Sequence, residues 1–106
     1  MPEAGPDGGS GPGGIAVSRD GDVCRLAGVI DFSSARAALE RVEPLVARGE
    51  IRRIDLGGVT RSNSAGLALM IEWLAVARRE GRPLEFVAVP DGLRQLAAVC
   101  QVDTLI

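Results

Sequence analysis

The sequence contains no His, no Tyr and no Lys, and all twelve of its positive charges are Arg. Without His it lacks the side chain most often used as a general base near neutral pH and the commonest metal ligand. Its two Cys, Cys24 and Cys100, are too few for a four-ligand zinc site or for a disulfide framework. No apolar run approaches the roughly 20 residues of a membrane-spanning helix, so no direct membrane insertion is expected. The first residues lack the basic-then-apolar order of a secretory signal. Fourteen acidic residues give a formal net charge of −2, so no basic face for nucleic acid emerges. These absences argue against a metalloenzyme, a nucleic-acid binder, a secreted mini-protein and an integral membrane protein. They predict a cytoplasmic domain with reduced thiols and neither metal nor cofactor.

What is present is the mixture of one globular domain: 106 residues, 46% hydrophobic and 25% charged. Residues 1–14 hold six of the fourteen Gly and three of the six Pro, with no side chain able to seed a core. They read as a flexible leader, with the domain over 15–106. Ile15–Ser18 and Val23–Ile30 read as strands joined at Asp20-Gly21, a dipeptide that tolerates the positive φ angles of a tight hairpin. Apolar residues from Phe32 to Val46 recur at three- and four-residue spacing, predicting a helix over 33–48 with Asp31 or Ser33 as N-cap and Gly49 as its stop. Pro44 should kink or break that helix near Glu43. Ile51–Leu56 reads as a strand ending in Gly57-Gly58, residues 65–80 as the strongest helix, Leu84–Val89 as a strand, 91–100 as a helix, and Val102–Ile106 as a short extended end. The order ββαβαβα predicts an α/β fold, a single mixed β-sheet with helices packed on it. Cys24 and Cys100 are expected to be buried small hydrophobes.

The informative segment joins the central strand to the strongest helix, because loops at strand carboxyl ends are where α/β domains place function. Ser64 stands at the entrance of that helix. It suits three tasks: capping the helix, carrying a phosphate against the unsatisfied N–H groups and positive dipole end, or receiving an anionic group from a partner. Arg61 could meet an acidic partner or a phosphate, and Asp55 could orient the loop. Gly57-Gly58 is not a nucleotide cradle, since neither GxxxxGK[ST] nor GxGxxG is present. No residue is suited to activate Ser64 as a nucleophile and no paired carboxylates occur at a defined spacing, so no catalytic residue is assigned.

Ile54-Asp55-Leu56, Val59, then Asn63-Ser64-Ala65-Gly66-Leu67-Ala68-Leu69, with Gly81 and Leu84 leading into the next strand, resemble the STAS domain family, the anti-anti-sigma fold. The resemblance runs over about residues 15–106. In the anti-sigma-factor-antagonist branch the pattern is Asp-Ser-Ser/Thr-Gly, with a Ser phosphorylated by a partner kinase. Asn63 stands at the Asp, Ser64 at the phosphoacceptor, and Ala65 and Gly66 fill the last two places. Asn63 keeps the hydrogen-bonding shape and loses the charge. Gly66-Leu67-Ala68-Leu69, Trp73-Leu74-Ala75, Ala77-Arg78-Arg79, Gly81, Val102-Asp103 and Leu105 are similar to the small STAS subunit of Mla-type phospholipid ABC transporters. That resemblance implies a non-catalytic accessory that binds the ATPase subunit, with Ser64 in the contact; the antagonist branch implies an anti-sigma-factor kinase as partner.

Plotted at about 100° per residue, the strongest helix carries two apolar stripes. Leu67, Met70, Ile71 and Leu74 form one; Leu69, Trp73 and Val76 form the other. A helix over a sheet should bury one stripe and be polar outside. The expectation is therefore an outward ridge of Leu69, Trp73 and Val76, continuous with Ser64 and used for partner binding, since Trp is enriched at interface hot spots. Whether the domain also pairs with itself stays open at this level.

Overall fold

In the computed structural model, residues 14–101 are described. The leader, Gly14 apart, and the extended end Val102–Ile106 lie outside that range. The elements run β1 (Ile15–Asp20), β2 (Val23–Ile30), α1 (Phe32–Ala47), β3 (Arg53–Ser62), α2 (Ser64–Arg79), β4 (Glu85–Val87) and α3 (Asp91–Val99). They form one four-stranded sheet in the order β1-β2-β3-β4. β1 and β2 are an antiparallel hairpin, while β2–β3 and β3–β4 are parallel. This is the mixed α/β sheet in the ββαβαβα order that the periodicities predict. α2 packs against both α1 and α3, and the core lies between these helices and the sheet. The other sheet face carries ion pairs: Arg25 lies 3.3 Å from Asp20 and 3.8 Å from Asp55, and Arg53 lies 3.0 Å from Glu85.

Two local expectations fail for identifiable reasons. α1 does not break at Pro44 but continues to Ala47, with the Pro inside it. Pro44 lies in the last turn on an exposed position, where the carbonyl it leaves unpaired can face solvent and its own carbonyl still accepts from Arg48 N at 3.1 Å. At its other end α1 starts on a full capping box: Asp31 Oδ1 accepts from Ser33 N at 3.0 Å and Ser34 N at 2.9 Å, and Asp31 N donates back to Ser34 Oγ at 3.0 Å. The hydroxyl of Ser33 and the backbone N–H of Ser34 hold the Asp31 carboxyl below the usual carboxylate range.

Nor does β3 end at Gly57-Gly58. It runs on to Ser62. Between the pairs Val23↔Arg53 and Ile30↔Ser62, eight residues of β2 face ten of β3, because β3 gains one residue between Asp55 and Gly58 and another between Val59 and Arg61. At the first irregularity the strands approach so closely that a Cβ on Gly58 would lie 2.9 Å from the Ala27 Cβ and 3.0 Å from the Leu26 carbonyl oxygen. The glycine pair therefore serves a bulge inside a strand, not a turn after one. β4 pairs only with Arg53, Ile54 and Asp55, so among the described residues the upper half of β3 has β2 as its one strand neighbour and projects past β4 to deliver Asn63.

The outward ridge predicted on α2 does not exist. Trp73 and Val76 are fully buried, and Leu69 nearly so. α2 is the middle helix, flanked by α1 on one side and α3 on the other, so its buried arc is wide enough to take both apolar stripes. Trp73 stands at the centre of that arc, with Gly66, Leu69, Met70, Val76 and Ala77 around it, all buried. Its indole N–H has no hydrogen-bond partner among the described residues; the apolar area of the ring outweighs that desolvated donor. Cys24 is buried, and burial pushes its thiol up to about 11, whereas Cys100, at the C-cap of α3, is exposed, against expectation. Cys100 keeps the i+7 spacing from the buried Leu93, but α3 ends at Val99 and Cys100 is its C-cap, one position past the packed helix.

Trp73→Ala should destabilise the isolated domain by about 3–5 kcal/mol, read from chemical denaturation. Trp73→Phe should cost clearly less, because it keeps most of the apolar area and removes the unpaired donor. In the native protein a thiol reagent should label Cys100 rapidly and reach Cys24 only on unfolding, a difference that peptide mapping by mass spectrometry would read.

Candidate functional site

The site is the β3–α2 junction together with the α1 surface beside it. Asn63, not Ser64, caps α2: its backbone is extended, and its Oδ1 accepts from Ala65 N at 2.8 Å. The Asn63 backbone carbonyl accepts from Gly66 N at 3.0 Å and its N–H donates to Ile30 O at 3.2 Å, which ties the helix entrance to the end of β2. Ser64 is thereby released from capping. It is the first helical residue and is exposed, with its hydroxyl at the positive end of the helix dipole. Arg61 is exposed on the same end of β3.

Ala65 and Gly66 are buried, each for a packing reason. A Cβ on Gly66 would collide with Ser62 Oγ and lie 3.1 Å from Leu93 Cδ2 of α3. The glycine lets the first turn of α2 lie against both β3 and α3, which explains the small residue two places after Ser64. Ser62 Oγ is itself engaged, donating to Asn63 O at 3.0 Å. Among the described residues, Ser64 is therefore the hydroxyl at this corner that the local hydrogen bonding leaves uncommitted.

Asp55 does not belong to the site. Its Oδ1 accepts from Gly57 N at 2.7 Å, and its other oxygen faces Arg25. Ser62 lies seven positions further along the strand, more than about 20 Å of extended chain, so Asp55 cannot orient the Ser64 loop. The extra length of β3 beyond Gly57-Gly58 is what carries Asp55 away from the helix entrance. Trp73 and Val76 are removed from the surface by their burial, while Leu69, nearly buried, reaches the surface only as part of a groove wall.

A different apolar feature takes the place of the missing ridge. Between α1 and α2 lies an open groove of about 290 Å³ lined by Phe32, Ala35 and Leu39 from one helix and Ala65, Ala68 and Leu69 from the other, with Arg36 and Glu72 at its rim. Phe32, the residue after the α1 cap, is 75% exposed. Through Ala65 and Ala68 the groove adjoins Ser64, within one helical turn of α2. Sequence periodicity assigned Phe32 to the buried face of α1. The signal available was its position directly after the cap, where a side chain has no preceding turn to pack on. Among the described residues, no three His, Cys, Asp or Glu side chains cluster as a metal site, and no helix is long and apolar enough to cross a membrane.

Strand order, helix placement and a capped serine-bearing helix entrance define the STAS class. Residues 14–106 match the family model described as Mlab, STAS domain, and the chain belongs to that STAS family. Among solved structures it is similar to an anti-sigma factor antagonist from Mycobacterium paratuberculosis, at 26% identity and TM-score 0.69, over 92% of this chain and 86% of that one. It shares the fold of the Bacillus cell fate determinant SpoIIAA in its phosphorylated form, at 8% identity and TM-score 0.62, over 85% and 86% of the two chains. It also resembles part of the protein Mglu, at 32% identity and TM-score 0.51, over 70% of this chain but 19% of that one. No curated protein sequence matches the chain.

Asn63→Ala should lower stability by about 1 kcal/mol through loss of the cap, while Asn63→Asp should hold it, since a carboxylate caps equally well and favours the helix dipole. Gly66→Val should cost about 1–3 kcal/mol by overpacking against Ser62 and Leu93. Thermal and chemical melts of the three variants would check both statements.

Proposed function

We propose that this chain is a non-catalytic accessory subunit that binds the ATPase subunit of a phospholipid-trafficking ABC transporter and supports its assembly and activity. The docking face on this reading is the exposed Ser64 with Asn63 and Arg61 beside it, continued by the groove between α1 and α2. The observation that carries the reading is the division of labour at the helix entrance. Asn63 supplies the cap, so the Ser64 hydroxyl is free for a partner, next to an apolar surface large enough to seat a side chain. The match to the Mlab STAS description supports the transporter branch. Ala65 and Gly66 shape the site from within, and Leu69 contributes through the groove wall.

The similarity to an anti-sigma factor antagonist favours a second reading of the same face. There the partner is an anti-sigma factor kinase, and phosphorylation of Ser64 switches binding off. A phosphate on Ser64 would meet the N-terminal N–H groups of α2 and would need no unfolding. Asn63, uncharged where the antagonist pattern has Asp, weighs toward the transporter reading.

Co-purification separates the two. On the first reading the chain recovers a transporter ATPase, and Ser64→Glu weakens that binding by at least about 2 kcal/mol while the melting temperature holds. Stoichiometric phosphate on Ser64 from a recovered kinase, with loss of kinase binding, would establish the second reading instead.

A further inference from the structure

The rim of the α1–α2 groove carries unlike charges on its two sides, Arg36 on α1 and Glu72 on α2. Arg36 faces a same-helix acid, Glu40, at 3.5 Å in an exposed pair, an interaction worth little in water and easily exchanged. Between the two rims lies a floor of small and apolar side chains, with the largely exposed Phe32 at one end. A face with a cation on one side, an anion on the other and an apolar centre is complementary to itself under a two-fold rotation.

We propose that in the free protein this groove is covered by a second copy of the chain, α1–α2 face to α1–α2 face. The rotation sets Arg36 of each copy against Glu72 of the other and lays Phe32 of each over the other's groove beside Ala68, whose short side chain allows close approach. The footprint comprises the outer surfaces of two half-helices, at the low end of interface sizes, below about 1,200 Å² in total. The pair is therefore transient, with a dissociation constant on the order of 100 µM. One consequence rests on the docking reading above: because the groove adjoins Ser64, pairing and partner docking compete, and the free subunit is held in a self-covered form that the partner must displace.

Sedimentation equilibrium of the full chain from about 10 µM to about 1 mM spans that constant. The wild-type mass should rise toward that of a dimer, while Ala68→Arg and Phe32→Ser, both surface changes, should stay monomeric with native melting curves. Arg36→Glu should weaken pairing, and Arg36→Glu combined with Glu72→Arg should restore it, a rescue that general loss of apolar surface would not produce. A wild type monomeric throughout, a dimer indifferent to Ala68→Arg, or a double charge swap no better than the single one would each overturn the proposal. The Ser64→Glu co-purification reads docking separately. Intact docking without pairing removes this proposal alone; pairing without docking removes the partner reading and leaves the dimer.

Discussion

The rotational setting of α2 is the constraint on which the rest depends. A helix lying on a sheet between two other helices can turn about its axis until its largest side chain finds the deepest position, and here that side chain is Trp73. Once the indole is at the centre of the buried arc, geometry assigns every other position. Ser64 precedes Trp73 by nine residues, two and a half turns, and so emerges on the opposite side. Ala68, Glu72 and Ala75 share the outward half with it and are exposed. The indole is thus no part of a docking surface, yet it determines which residues form one.

The two ends of α2 are pinned by different means, and together they keep that setting from drifting. At the start, Asn63 is hydrogen-bonded to the end of β2 and to the first turn of the helix, and Gly66 fits between Ser62 and Leu93 without room for a side-chain carbon. At the finish, Arg78 and Arg79 lie in the last turn, where cations favour the dipole, and Gly81 N–H donates to Arg78 O at 3.2 Å, closing the end of the helix. A serine placed on such an entrance is held rigidly in space while making no contribution to the core. That separation lets the site change its chemistry, by substitution or by a phosphate, at little cost to folding.

Much of this was legible in the sequence, and the failures share one cause. The β1–β2 hairpin, the helix start after Asp31 and the stops at Gly49 and Gly81 are set by local chemistry among neighbouring residues, which a sequence displays directly; the hairpin turn itself falls one residue later than expected, at Gly21-Asp22, and α2 starts one residue earlier, with Asn63 in place of Ser64 as its cap. The burial of Trp73, the passage of β3 through Gly57-Gly58 and the exposure of Phe32 are set by what lies across from each residue. An apolar stripe has the same periodicity whether a neighbouring helix or water faces it, and two consecutive glycines look alike in a turn and at a bulge pressed against Ala27. Asp55 follows from the second of these: a strand ending at Gly57-Gly58 would put it near Ser64, and the added length of β3 carries it away.

The exposed phenylalanine is the sharper clue to use. A chain with three aromatic residues buries its Trp completely and leaves Phe32 at 75% exposure, on the wall of a groove instead of alone on a convex surface. Nothing in the capping of α1 requires it, because Asp31, Ser33 and Ser34 make that cap and any residue could follow Asp31. Burying the ring of Phe32 would recover roughly 1.5–3 kcal/mol, so a body that covers the groove gains that energy without any rearrangement of the fold. The same gain is open to a second copy and to a docking partner, but the partner can add contacts to Ser64 and Arg61 that a copy bound over the groove does not reach. A partner covering both therefore outcompetes the copy by the difference, and the preference for it follows from surface that α2 has already been turned to present.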